Sequence, residues 1–223
     1  MVAQQNQEQA KIKALVAKIE QHPKDWQAYA DLVSMLSITG NYIQAEELGL
    51  KSLGLFAKNT EAVAYLNYAI GSNYYNAGSY EQAQKYFQQV DLAPLKHDAT
   101  MMQAQDWYAQ KKYHQALAFA LTGTEQDATD TDAFILLGQI WLALGQFSDA
   151  KKAFDQALDL DKNSFSANFG RGMLAMSERV TDNHWLQQAK RIDADKYQAQ
   201  AQQLDDLLNV MTGGEANDAS ASK

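Results

Sequence analysis

The sequence predicts an all-α fold built from repeated helix–turn–helix hairpins, and three observations predict it. Only two prolines occur in 223 residues, so long helices run uninterrupted and turn-rich β structure is disfavoured. The chain is 46% hydrophobic and 21% charged and has no cysteine. That balance supports an ordinary apolar core and excludes disulfide frameworks, thiolate metal sites, iron–sulfur clusters and cysteine nucleophiles. The third observation is a recurring pattern of glycine, polar residue, aromatic residue, two residues and alanine. It occurs as Gly40-Asn41-Tyr42-Ile43-Gln44-Ala45, as Gly78-Ser79-Tyr80-Glu81-Gln82-Ala83 and as Gly145-Gln146-Phe147-Ser148-Asp149-Ala150. Lys111-Lys112-Tyr113-His114-Gln115-Ala116 repeats it without the glycine, and the four copies start 38, 33 and 34 residues apart.

The pattern has a physical reading. Glycine tolerates positive φ and ends one helix. The polar residue after it, Asn41 or Ser79, is placed to cap the next helix, and Ser79 with Gln82 has capping-box spacing. The aromatic residue and the alanine, three apart, share one face of that second helix, where the alanine allows close approach of a neighbour.

Taken in chain order, Lys11–Gln21 carries Ile12, Leu15, Val16 and Ile19 at helical spacing, so residues 1–22 are expected as an N-terminal packing helix. Repeats follow over 23–192, at about 26–59, 64–94, 97–130 and 131–164, with a partial unit at 165–192. That last unit has a first helix from Phe165 to about Ser177 and a second near Asp182–Ile192. Residues 193–211, with Leu204, Leu207 and Leu208 among Gln and Asp, read as a C-terminal capping helix with a polar outer face. Gly213-Gly214 ends it, and 212–223, small and polar, reads as a disordered tail.

At these residues the sequence resembles the tetratricopeptide repeat family, whose 34-residue pattern places bulky, small, aromatic, glycine and alanine residues at fixed positions. Residues 131–164 match through Phe134, Leu137, Gly138, Trp141, Gly145, Phe147, Ala150, Phe154 and Ala157, with Lys162 in place of the terminal proline. Residues 64–94 match through Ile70, Gly71, Tyr74, Gly78, Tyr80, Ala83, Phe87, Val90 and Pro94. Residues 26–59 keep Tyr29, Leu32, Leu36, Gly40, Tyr42 and Ala45, but Val33 and Gly49 depart from the pattern. Residues 97–130 are degenerate and keep Trp107, Tyr113 and Ala116. The resemblance implies a right-handed superhelical solenoid, capped by helices at both ends, whose first helices line a concave groove.

Other motifs are weaker than their simpler explanations. Asp159-x-Asp161-x-Asn163 opens like a calcium loop but continues with Ser164 and Gly170 where glycine and glutamate are needed. Gly170-Arg171-Gly172 lacks the preceding strand of a dinucleotide fingerprint, and Gly172 is expected as the small packing residue of a repeat. The four histidines, His22, His97, His114 and His184, are scattered, and no nucleophile elbow or phosphate loop occurs. The expectation is no catalysis, no cofactor and no metal. A net charge of −8 makes nucleic acid a poor partner. Residues 123–161 are locally acidic, which reads first as a solvated face and second as steering for a basic partner. With no apolar stretch of membrane length and no apolar run at the start, the expected setting is cytoplasmic, away from membranes.

The resemblance implies groove positions, and these set the expected site: Tyr65, Tyr68, Ser72, Tyr75 and Asn76 in the second unit, Met101, Gln105 and Tyr108 in the third, Gln139 and Leu142 in the fourth, and Phe169 and Met173 in the fifth. The family's chaperone adaptors hold an acidic C-terminal tail with Lys, Asn and Arg at such positions. This groove is nearly uncharged and rich in Tyr, Met and Gln, which suits an apolar or amphipathic protein segment instead. The expected work is therefore a non-catalytic scaffold or adaptor. Self-association through a convex or lateral surface, giving a homo-oligomer, is the alternative. A regulatory subunit or an enzyme with an unrecognised site is the third reading. The same residues also admit a purely internal role, with the tyrosines packed on neighbouring repeats or under a returning terminal helix.

Overall fold

The computed structural model describes residues 2–177 and 183–211. They form α-helices and turns, with no strand among the described residues. The segment expected as a tail, 212–223, lies outside them, as do the side chains of Leu204, Leu207 and Leu208. The chain divides into two units, Met1–Thr129 and Asp130–Lys223. The first holds α1 (Val2–Gln21), α2 (Trp26–Ile38), α3 (Tyr42–Leu55), α4 (Thr60–Asn76), α5 (Tyr80–Phe87), α6 (Ala93–Ala109) and α7 (Tyr113–Gln126). The second holds α8 (Thr131–Ala143), α9 (Phe147–Leu160), α10 (Phe165–Ser177), α11 (His184–Ile192) and α12 (Ala194–Met211).

The hairpins α2–α3, α4–α5, α6–α7 and α8–α9 each turn on a left-handed residue. Gly40, Gly78 and Gly145 have φ of 77°, 73° and 73°, and Lys111 takes the same role at φ 60°. The turn closes by a six-residue backbone bond, as from Ser79 N to Tyr74 O (2.8 Å) and from Lys112 N to Trp107 O (2.9 Å). The expectation that Asn41 and Ser79 cap their helices by side chain is corrected: neither makes a side-chain cap bond. The chain enters the second helix directly from the glycine turn, and the backbone carbonyls of Asn41 and Ser79 accept from Ala45 N and Ala83 N instead. Side-chain caps stand at α2, α4 and α8, where Asp25, Asn59 and Asp130 accept from Ala28 N, Ala62 N and Asp132 N, and at α11, where Asn183 accepts from Leu186 N.

Within each unit, a first helix packs against its own second helix and against the next first helix. In unit 1, α2 contacts α3 and α4, α4 contacts α5 and α6, and α6 contacts α7; in unit 2, α8 contacts α9 and α10. Several close approaches join a glycine to an aromatic ring. A Cβ on Gly71 would stand 2.8 Å from the Phe87 ring. Phe154, 1% exposed, lies between Gly138 and Gly170, where added Cβ atoms would come within 2.8 Å and 2.5 Å of its ring. The first repeat inverts this arrangement. Val33 is fully buried at the small position of α2, and Gly49 on α3 makes room for Ile70, so the bulk is supplied from the first helices.

The Gly170-Arg171-Gly172 string is helical packing throughout. Gly172 faces Leu186 of α11. Arg171, 3% exposed, donates from Nε to Asp155 Oδ1 (2.9 Å) and stacks its guanidinium 4.1 Å from the centre of the Trp185 ring. Asp161 serves a turn: its Oδ1 accepts from Asn163 N at 2.9 Å.

Candidate binding surface

The expected groove residues of unit 1 lie on α4 and α6. Tyr65, Tyr68, Tyr75 and Tyr108 are all half-buried, and each rests on another ring. Tyr65 lies 5.1 Å from Trp26, Tyr68 5.8 Å from Phe87, Tyr75 5.9 Å from Tyr80 and Tyr108 5.6 Å from Tyr113. The packing fixes the ring of each tyrosine while leaving the phenol tip at the surface. Tyr65 and Tyr68 also close over the apolar cluster of Ala64, Val90, Leu95 and Ala99. The supporting rings were not among the expected site residues, although a signal for two of them was present. Tyr75 and Tyr80, like Tyr108 and Tyr113, lie five apart across the glycine or lysine turn.

Hydrogen bonding separates these four from Tyr29 and Tyr74. Tyr29 donates its hydroxyl to Pro23 O, and Tyr74 donates to Glu46 Oε1 at 2.7 Å. Among the described residues, the hydroxyls of Tyr65, Tyr68, Tyr75 and Tyr108 bond no protein group. Burial raises the pKa of Tyr68, Tyr75 and Tyr108 above the ordinary phenol value. Asp98 adds to this at Tyr68, Tyr80 and Asp106 at Tyr75, and Tyr113 at Tyr108. They are therefore neutral donors at physiological pH, in a field made slightly negative by two carboxylates.

Three of the expected residues serve internal contacts. Asn76 Nδ2 donates to Ser37 Oγ at 3.0 Å and ties α4 to α2. Ser72 Oγ donates to Tyr68 O within its own helix. Met101 is 7% exposed, and its sulfur occupies the space where a Cβ of Gly123 would lie. The third repeat has Ala120 where the pattern wants an aromatic ring, and Met101 packs inward against Gly123 on the same helix as Ala120, α7. Gln105 is half-buried beside Tyr108 on the same helix.

Comparison with known proteins bears on the fold. Family models described as tetratricopeptide repeat match residues 131–164 and 68–131. The chain is a tetratricopeptide-repeat protein. No curated protein sequence matches it at significance. Among solved structures, a tetratricopeptide protein named YrrB, described as having an unusual peptide-binding site, is 20% identical. The match covers 86% of this chain and 99% of that one, with a TM-score of 0.59. A kinesin light chain of Podospora anserina, with nearly identical repeats of this type, is 14% identical over 78% of this chain and 98% of that one, with a TM-score of 0.64. MamA is 14% identical over 75% of this chain and 97% of its own, with a TM-score of 0.60. At these identities the structures show the fold.

Tetratricopeptide-repeat proteins are in general non-catalytic interaction modules, and no helix among the described residues is long and apolar enough to cross a membrane. In unit 2, Gln139, Leu142 and Met173 are half-buried on α8 and α10. Phe169 is stacked on Phe165 at 5.8 Å and meets Tyr197 of α12 edge-on at 6.0 Å. Lys196 of α12 also lies 4.6 Å from the centre of the Phe165 ring. In this unit the terminal helix lies over the first-helix aromatics of the tetratricopeptide fold.

Proposed function

We propose that this tetratricopeptide-repeat protein is an interaction scaffold that holds an apolar or amphipathic segment of a protein partner on the α4–α6 surface of unit 1. The observation that carries the reading is the set of four ring-supported tyrosines whose hydroxyls have no protein partner. Such side chains offer rigid apolar area at low entropic cost, together with a hydrogen bond at the tip. Asp98 and Asp106 disfavour an acidic segment and favour a neutral or weakly basic one. Phe169 of unit 2 is excluded from this surface because α12 covers it, and Met101 because it is buried.

The test uses the full chain and peptides selected against it from a displayed library. Affinity of the selected peptides is compared for wild type and for the triple variant Tyr68→Phe, Tyr75→Phe, Tyr108→Phe. The rings and their stacking remain, so circular dichroism and melting should be unchanged. Loss of up to three hydrogen bonds is expected to weaken binding by about ten-fold or more. A Tyr68→Ala, Tyr75→Ala variant, checked for folding, should abolish it. Peptides that bind both variants as tightly as wild type would place recognition elsewhere.

A further inference from the structure

In this fold the groove between a second helix and the following first helix is filled by another first helix. In unit 1, α2 fills the groove between α3 and α4, and α4 fills that between α5 and α6. In unit 2, α8 fills the groove between α9 and α10. Helix α1 packs on α2 as a second helix packs on the next first helix, yet the groove between α1 and α2 is open to solvent. It has a volume of about 440 Å³ and is lined by Lys11, Ala14, Leu15, Asp31, Met35 and Ile38, with Ser34 at its side. Ile38 is 69% exposed, and Val16, next to Leu15 on α1, is 41% exposed. Leu15 and Met35 are half-buried.

We infer that this groove is a self-association surface, occupied by α1 of a second copy in a two-fold pairing. Charge decides for a second copy over an unrelated helix. Lys11 stands on the α1 wall and Asp31 on the α2 wall, both exposed, and neither makes an ion pair among the described residues. A two-fold axis brings the α1 wall of each copy against the α2 wall of the other. Lys11 of each then meets Asp31 of its mate, and both pairs form at once. Between them, Ile38 is both a wall of its own groove and a protruding group for the other. Ala10, Ala14 and Ala17, exposed and spaced i, i+4, i+7, allow two α1 helices to approach closely. The inference is independent of the peptide surface on α4 and α6.

The experiment is sedimentation velocity of the full chain across a concentration series. Wild type should show a monomer–dimer equilibrium, and Ile38→Glu should weaken it at least ten-fold. Lys11→Asp alone and Asp31→Lys alone should each be monomeric, because each puts like charges opposite. An equimolar mixture of those two variants should dimerise, and so should the double variant, since both arrangements restore opposite charges. Wild type that stays monomeric throughout, or a dimer indifferent to Ile38→Glu and both charge reversals, would overturn the inference. So would single variants that stay monomeric when mixed. The triple tyrosine-to-phenylalanine variant should dimerise as wild type does, which keeps this test separate from that of the peptide surface.

Discussion

Lys111 is the one non-glycine residue with positive φ among the described residues, and it stands where the other hairpins carry glycine. An L side chain in the left-handed region costs about 1–2 kcal/mol, whereas glycine there costs only its extra chain entropy, about 0.5–1 kcal/mol. Lys111→Gly should therefore stabilise unit 1 by about 0.5–1 kcal/mol, or raise its melting temperature by roughly 2–4 °C. Nothing else of note is lost, because the lysine side chain is exposed and its N–H bond to Tyr108 O (2.8 Å) belongs to the backbone. Lys111→Ala retains the Cβ and should change stability by less than about 0.5 kcal/mol. Gly78→Ala runs the argument backwards. No atom lies within 4 Å of the added Cβ, so its expected loss of about 1 kcal/mol is conformational alone. Urea unfolding followed by circular dichroism reads all three. A Lys111→Gly variant less stable than wild type, or an alanine variant gaining as much as the glycine one, would refute the reasoning.

Two further substitutions test the core. Gly138→Ala places a Cβ 2.8–2.9 Å from the Phe154 ring, and Phe154 cannot retreat because Gly170 holds its other side; thermal melting should show a loss of about 1–3 kcal/mol. Asp106 is fully buried, and desolvation raises its pKa above the ordinary carboxylate value of 3.8, against hydrogen bonds from Gln84 and Gln110. The native state then binds more protons than the unfolded state between 3.8 and the raised value, so this residue's contribution to stability falls as pH rises through that window. Subtracting Asp106→Asn urea midpoints from wild-type midpoints should isolate that fall, with the asparagine variant at least as stable at pH 7; a difference that does not vary with pH would contradict the assignment.

Where the chain follows its repeat, the sequence was sufficient to place the structure. Gly71 with Phe87 and Gly138 with Phe154 are the small and aromatic members of one contact, and their spacing alone set the helices face to face. The first repeat was harder to read because Val33 and Gly49 exchange large and small. The pair preserves volume across two helices that are distant in sequence, and a position-by-position reading sees only two departures. Capping was misread for another reason. Asn41 and Ser79 are good cap residues by type, but a left-handed glycine immediately before them already sets the path into the helix. Register assigns the expected groove residues to first helices, whereas the direction of each side chain depends on what its neighbours leave unfilled.

The third repeat shows that dependence most fully. Where the pattern wants Leu and an aromatic ring, this unit has Gln103 and Ala120. Gln103 is buried nonetheless, and a polar side chain in the core is stable only with partners. Its own amide nitrogen donates to Ala99 O one turn back (3.4 Å), and Gln84 of α5 donates from its amide nitrogen to the backbone carbonyl of Gln103 (3.1 Å) and to Asp106 Oδ2 (2.6 Å). Met101 packs inward against Gly123 of α7. The degenerate unit is thus a different solution to the same packing problem. It buries a flexible apolar group, Met101, and sets the Asp106 carboxylate within electrostatic reach of Tyr75.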